Sequence, residues 1–201
     1  MNRIAALAAT VFLGGCAGLA DGTDALVGIG SISAEKSTFS GAYEVRMQPA
    51  WVYGGDFFGV SMVKLGASWT AENAETVYLV MMVNSSTQSS LVYAGLEGLQ
   101  INLNGQIHSF KAGAGTSMSS SPYNTVTRQI YTQSKNAVAV PLSLVREMVS
   151  SEHCKIRFIT SAGYQEADFS IERSEAGGAG ARHYMREFLQ KIDAVSSGAQ
   201  A

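Results

Sequence analysis

The side chains able to do chemistry are few: His108, His153 and His183, the cysteine Cys154, and the acidic trio Glu166, Asp168 and Glu172. Metal sites built from histidine and cysteine need ligands at close, repeated spacings, so that one turn or one helix face presents two of them. Neither H-x-x-x-H nor C-x-x-C occurs, and only His153 has a cysteine beside it. No metal and no other cofactor is therefore expected. Each histidine has a simpler reading: His108 on the apolar face of a strand, His153 facing Glu172 across a hairpin, and His183 in solvent at the start of a helix. Cys154 precedes Lys155-Ile156-Arg157-Phe158, an alternating strand pattern, and is expected to be a buried structural thiol.

The three carboxylates stand at even spacings, which puts them on one strand face. Paired carboxylates serve as acid and base or as calcium ligands. Here a hairpin turning at Ala162-Gly163 would set Arg157 opposite Asp168, and a solvated, charge-paired face accounts for them. A serine nucleophile needs the strained G-x-S-x-G elbow. The nearest match, Gly115 to Ser119, ends on serine and lies in the flexible, Ser-rich stretch 112–122. Gly177 to Arg182 reads G-G-A-G-A-R ahead of a helix but has neither P-loop nor dinucleotide spacing, and is read as a flexible link.

What remains is an aromatic cluster, Trp51, Tyr53, Phe57 and Phe58, grouped around Pro49 and Gly54-Gly55 at a strand connection. Rings on a loop form a binding patch when exposed and a core corner when folded under a sheet. These four are the candidate binding residues. A catalytic site converging from distant loops would draw on Asp56, His108 and Arg128, because the fold and not the spacing places such groups.

Strands must position all of these. Phe39, Gly41, Tyr43, Val45 and Met47 alternate with polar or small residues, the mark of a half-buried strand. Phe57 to Trp69 alternates less cleanly, with Gly59 and Gly66 marking a bulge or bend. Val77 to Val83, VYLVMMV, is apolar on both faces and reads as a central strand covered on each side. Asn104-Gly105 predicts a tight hairpin pairing Leu103 with Gln106, Ile101 with His108 and Leu99 with Phe110. In the second hairpin Phe158 would face Ala167, Ile156 would face Phe169, and Cys154 would face Ile171. Val126 to Thr132 and Ala137 to Val140 read as two strands joined near Gln133 to Asn136. Pro141 opens a short helix with Leu142, Val145 and Val149 on one face. Ala181 to Val195 forms an amphipathic helix with a stripe of Tyr184, Met185, Phe188, Leu189, Ile192 and Val195, the natural cover for the doubly apolar strand. The expected fold is mainly β or α+β: an antiparallel β-sandwich or sheet of about nine strands, with the short helix and the C-terminal helix packed on it.

The chain begins MNRIAALAATVFLGGC. A basic residue, Arg3, precedes the short apolar run Ile4 to Leu13, then small residues lead into Cys16; the run is too short to span a bilayer. Leu13-Gly14-Gly15-Cys16 resembles the lipobox of bacterial lipoproteins. The resemblance implies cleavage before Cys16, lipid on its thiol and its new N-terminus, and, with Ala17 rather than aspartate following, an outer-membrane destination. Residues 1–15 are then a signal peptide, 16–37 the lipidated cysteine and tether, 38–195 one β-rich domain, and 196–201 a disordered tail. With 14 basic and 16 acidic residues and no basic stripe, a nucleic-acid partner is not expected. The expected partners are the membrane, through the lipid, and an envelope protein or glycan. The reading is a non-enzymatic binding or scaffold domain in the cell envelope, facing the periplasm or the cell surface. The alternatives are a periplasmic enzyme with a loop-built site and an accessory subunit of an envelope assembly or secretion machine.

Overall fold

The computed structural model describes residues 28–53, 62–87, 93–113, 115–175 and 177–198. Among them ten strands form two antiparallel sheets, with two α-helices. The larger sheet, in the order β1-β2-β3-β4-β8-β7, holds β1 (Ile32–Lys36), β2 (Tyr43–Trp51), β3 (Met62–Thr70), β4 (Thr76–Ser86), β8 (Tyr131–Pro141) and β7 (Ser117–Ser120). It curls as a half-barrel. The smaller sheet, β10-β9-β5-β6, holds β10 (Gly163–Asp168), β9 (Cys154–Thr160), β5 (Leu96–Leu103) and β6 (Gln106–Lys111). Helix α1 spans Leu142–Ser150 and helix α2 spans Ala181–Ser196.

Period-two alternation builds the core. Cross-strand pairing aligns Val45, Trp69, Val77 and Val140 in one row of the larger sheet, and Met47, Ala67, Leu79 and Val138 in the next. All eight are buried on its inner face. Two layers share the cover. Helix α2 packs over β1, β2 and β3 with Met185, Phe188, Leu189 and Ile192 buried. The smaller sheet faces β8 with Leu99, Ile101, Ile156 and Phe158 buried. Helix α1 closes the seam between them with Leu144, Val145, Met148 and Val149. The helix stripe read from the sequence is the buried face, but α2 lies over β2 and β3 rather than over the central strand. The outer side of β4 is left partly open: Tyr78 is 44% exposed, and Val80 and Met82 are half-buried.

The first hairpin has the expected register, with Asn104 and Gly105 both at positive φ as a two-residue turn of the primed type requires. Gly66 marks an irregularity as expected: the β2–β3 register shifts between Met47 and Ala50, and a Cβ at Gly66 would sit 2.8 Å from the Met47 carbonyl oxygen. Gly59 lies outside the described residues.

Five expectations are corrected. The second hairpin turns at Ser161-Ala162, so Phe158 faces Gln165, Ile156 faces Ala167 and Arg157 faces Glu166. A shift of two residues keeps every side chain on its own face, so alternation does not distinguish the two registers. Phe39 is no strand residue; it is fully exposed in the turn between β1 and β2, and β1 itself occupies part of the expected tether. The pair of strands over 126–140 is one eleven-residue strand, β8, whose inward polar residues Thr132, Ser134 and Asn136 are buried. Lastly, the stretch expected to be flexible over 112–122 contains β7, hydrogen-bonded to β8.

Phe188 is fully buried where α2 meets the larger sheet. Phe188→Ala should destabilise the domain by about 3–5 kcal/mol. An unchanged urea midpoint would place α2 outside the core.

Candidate functional site

Trp51 and Tyr53 stand where β2 leaves the larger sheet; Phe57 and Phe58, with Asp56, lie outside the described residues. Trp51 pairs with Lys64 across β2 and β3, and the Lys64 Nζ sits 3.8 Å from the centre of the indole ring. This is a cation–π contact on a half-buried ring. Tyr53 is a clasp between layers. Its carbonyl accepts the Asp168 N–H at 2.8 Å, which joins the end of β2 to the end of β10. Its hydroxyl donates to the Ala179 carbonyl at 3.4 Å, just ahead of α2. Gly180 fits beneath the ring, where an added Cβ would lie 3.2 Å from Cδ2. Tyr53 therefore serves the fold, and of the two described aromatics Trp51 is the one that stands beside a surface cation.

Arg182 falls outside the apolar stripe of α2, yet its guanidinium is largely buried, with 13% of the side chain exposed. Its nitrogens donate to the carbonyls of Val149 at 3.0 and 3.1 Å, Ser151 at 2.8 Å and Ser170 at 2.9 Å. Val149 belongs to the last turn of α1, whose carbonyls have no partner within the helix. A fork of fixed donors suits three acceptors arriving from different directions. No local sequence signal marks this role, because all three acceptors come from backbone remote in the chain.

The acidic trio is divided. Glu166 is paired with Arg157, which also donates to Gln100 Oε1 at 3.2 Å. Asp168 accepts the Ser170 N–H at 2.9 Å and shapes the turn after β10. Glu172 lies past that strand and pairs with Arg186, not with His153. The Arg186 hydrogen bond holds the Glu172 carboxyl below the usual carboxylate range, aided by the charges of Arg186, Arg182 and His183. Asp193 is lowered in the same way by its hydrogen bond to Arg146, linking α2 to α1. Two depressions accompany these pairs. A groove of about 490 Å³ runs between the helices past Arg146, Arg182, Arg186 and Leu189. A smaller one of about 160 Å³ lies on the outer face of the smaller sheet beside Asn102, Lys155 and Arg157.

The histidines stay apart. His108 is half-buried on the edge strand β6 rather than in the core, His153 is exposed, and His183 sits 3.3 Å from Glu187 one turn along α2. Arg128 is exposed in a turn, with φ of 56°. His108 and Arg128 are thus on separate elements. Among the described residues no group of three or more His, Cys, Asp or Glu is placed to hold a metal ion, and no helix is long and apolar enough to cross a membrane. No family model matches the chain, and no curated protein or solved structure matches it significantly.

Cys154 is fully buried at the start of β9. Burial pushes its thiol up to about 12, the Asp168 charge adds to the rise and Arg182 opposes it. Reactivity needs thiolate and access. Cys154 should therefore resist an aromatic disulfide reagent at mildly alkaline pH and react fully once urea unfolds the domain. Rapid reaction in the native state would contradict this packing.

Proposed function

We propose that the chain is an outer-membrane-anchored lipoprotein whose β-rich domain binds or scaffolds an envelope component without catalysing a reaction. The observation that carries this reading is the run from Arg3 through the apolar Ile4–Leu13 to Leu13-Gly14-Gly15-Cys16. A non-enzymatic domain is supported by how the ionisable side chains are spent. Arg182 is committed to backbone carbonyls, and Arg157, Arg146 and Arg186 each hold an acidic partner that fixes one element to another. Groups arranged in this way stabilise the fold and leave little to poise for proton transfer. The accessory-subunit reading draws on a different feature. β7 stands at the edge of the larger sheet with every side chain exposed, and a sheet edge can be extended by a strand from a partner.

The test is direct. Mass spectrometry of the protein from its native envelope should find acyl chains on an N-terminal peptide that begins at Cys16, and Cys16→Ser should abolish them. Acyl chains on the variant, or an unmodified Cys16 in the native protein, would sink the reading.

A further inference from the structure

The hairpin joining β7 to β8 continues past the end of the larger sheet. Beyond the Ser120–Thr132 pair, the Ser121 N–H donates to the Tyr131 carbonyl at 2.8 Å, and Asn124 and Gln129 exchange main-chain bonds at 2.8 and 3.3 Å. At the tip the Asn124 side chain accepts the N–H groups of Val126 at 2.9 Å and Thr127 at 3.0 Å. The turn is thus ordered, with these main-chain donors satisfied from within. It holds Val126 90% exposed, with Tyr123 at 57% and Tyr131 at 42%. These bonds fix the shape of the turn, so little further ordering is needed to present Val126 to a partner surface. Tyrosines flanking an aliphatic side chain, with the exposed cation Arg128 beside it, match the chemistry of a membrane–water boundary: rings at headgroup depth and a guanidinium that can meet lipid phosphate.

The register says which way this tip faces. β1 pairs Ile32 with Met47 and Lys36 with Tyr43, so it runs away from the end where β2 stops at Trp51 and β8 begins at Tyr131. The chain ahead of β1, which carries Cys16, therefore joins the sheet from the end that bears the hairpin. Positions 16 and 28 are twelve apart (28 − 16), a span of at most about 40 Å when extended. Along the strands, Ile32 shares a row with Met47, Ala67, Leu79 and Val138, and Val126 lies twelve positions (138 − 126) beyond that row, about 40 Å. A tether drawn out to nearly its full length thus puts a lipid on Cys16 in the plane that the tip would meet.

We infer that the Tyr123–Tyr131 hairpin tip is a second membrane contact, seating Val126 among the headgroups of the bilayer that holds the lipid. The inference rests on the lipoprotein reading. The lipid on the Cys16 thiol and N-terminus already holds the chain at the bilayer, so what the second contact adds is a fixed orientation of the domain. Phe39 supplies the control: it is as exposed as Val126 but sits in the β1–β2 turn at the opposite end of the sheet.

The experiment uses the full-length lipidated protein with Val126→Cys or Phe39→Cys, each labelled with an environment-sensitive fluorophore, the buried Cys154 being out of reach. The proteins are reconstituted with phosphatidylethanolamine–phosphatidylglycerol vesicles carrying a headgroup quencher. Both variants should float with the vesicles. The label at 126 should shift to the blue and lose emission to the quencher, while the label at 39 keeps its aqueous spectrum. Flotation with an unquenched label at 126, or with equal quenching at both positions, overturns the contact and leaves the anchor standing. Failure of both variants to float overturns the anchor and the contact with it.

Discussion

The structure turns on the guanidinium of Arg182. Two helices and a sheet must meet at one corner, and α1 and the smaller sheet bring backbone carbonyls that their own secondary structure does not satisfy. The last turn of α1 brings Val149, the step into β9 brings Ser151, and the turn after β10 brings Ser170. Buried carbonyls without donors cost enough to open such a corner. One planar cation with several fixed donors serves all three, and it does so from the first turn of α2, the helix that covers β1 to β3. Placing Arg182 therefore fixes where α2 starts and holds Phe188 and Ile192 over the sheet.

Two further polar ties work on the same principle at other points of the seam. Asn136, buried in the middle of β8, donates from Nδ2 to the Leu96 carbonyl at 2.8 Å and so binds the larger sheet to the smaller. Tyr53 links the end of β2 to β10 and to the approach of α2. Apolar burial supplies the bulk of the driving force, but it is non-directional. The ties select how the layers are aligned, because each satisfies a backbone group in only one arrangement. This division of labour also bears on function. The polar residues that look chemical in one dimension are used to hold layers together, while the end of the larger sheet that receives the N-terminal chain presents the ordered hairpin tip.

What could be read in the sequence follows the range of the interaction. The Asn104-Gly105 hairpin is legible because turn geometry and alternation act within a few residues and agree. Helix α2 is legible because its stripe repeats over four turns. The second hairpin was placed two residues out of register because an even shift leaves alternation intact; only the fit of Thr160 and Gly163 around the Ser161-Ala162 turn decides it. β8 was divided in two because Gln133 to Asn136 resemble a turn when their partners are unknown, and the partner of Asn136 lies forty residues away in the other sheet. The role of Arg182 is hidden for the same reason: its acceptors all lie outside its own helix. Of the four aromatic candidates, Tyr53 belongs to the seam and Trp51 lies under Lys64; no periodicity distinguishes a clasp from a binding ring.

The most direct measurement is the urea-unfolding free energy of Arg182→Lys and Arg182→Met. Lysine keeps the charge but offers a point donor in place of the fork, and methionine keeps much of the stem with no donor at all. Both should lose at least about 2 kcal/mol, the scale of charge-assisted hydrogen bonds left with buried acceptors, and lysine should recover only part of what methionine loses. Native stability in Arg182→Met, or full rescue by lysine, would contradict the claim that this fork holds the corner together.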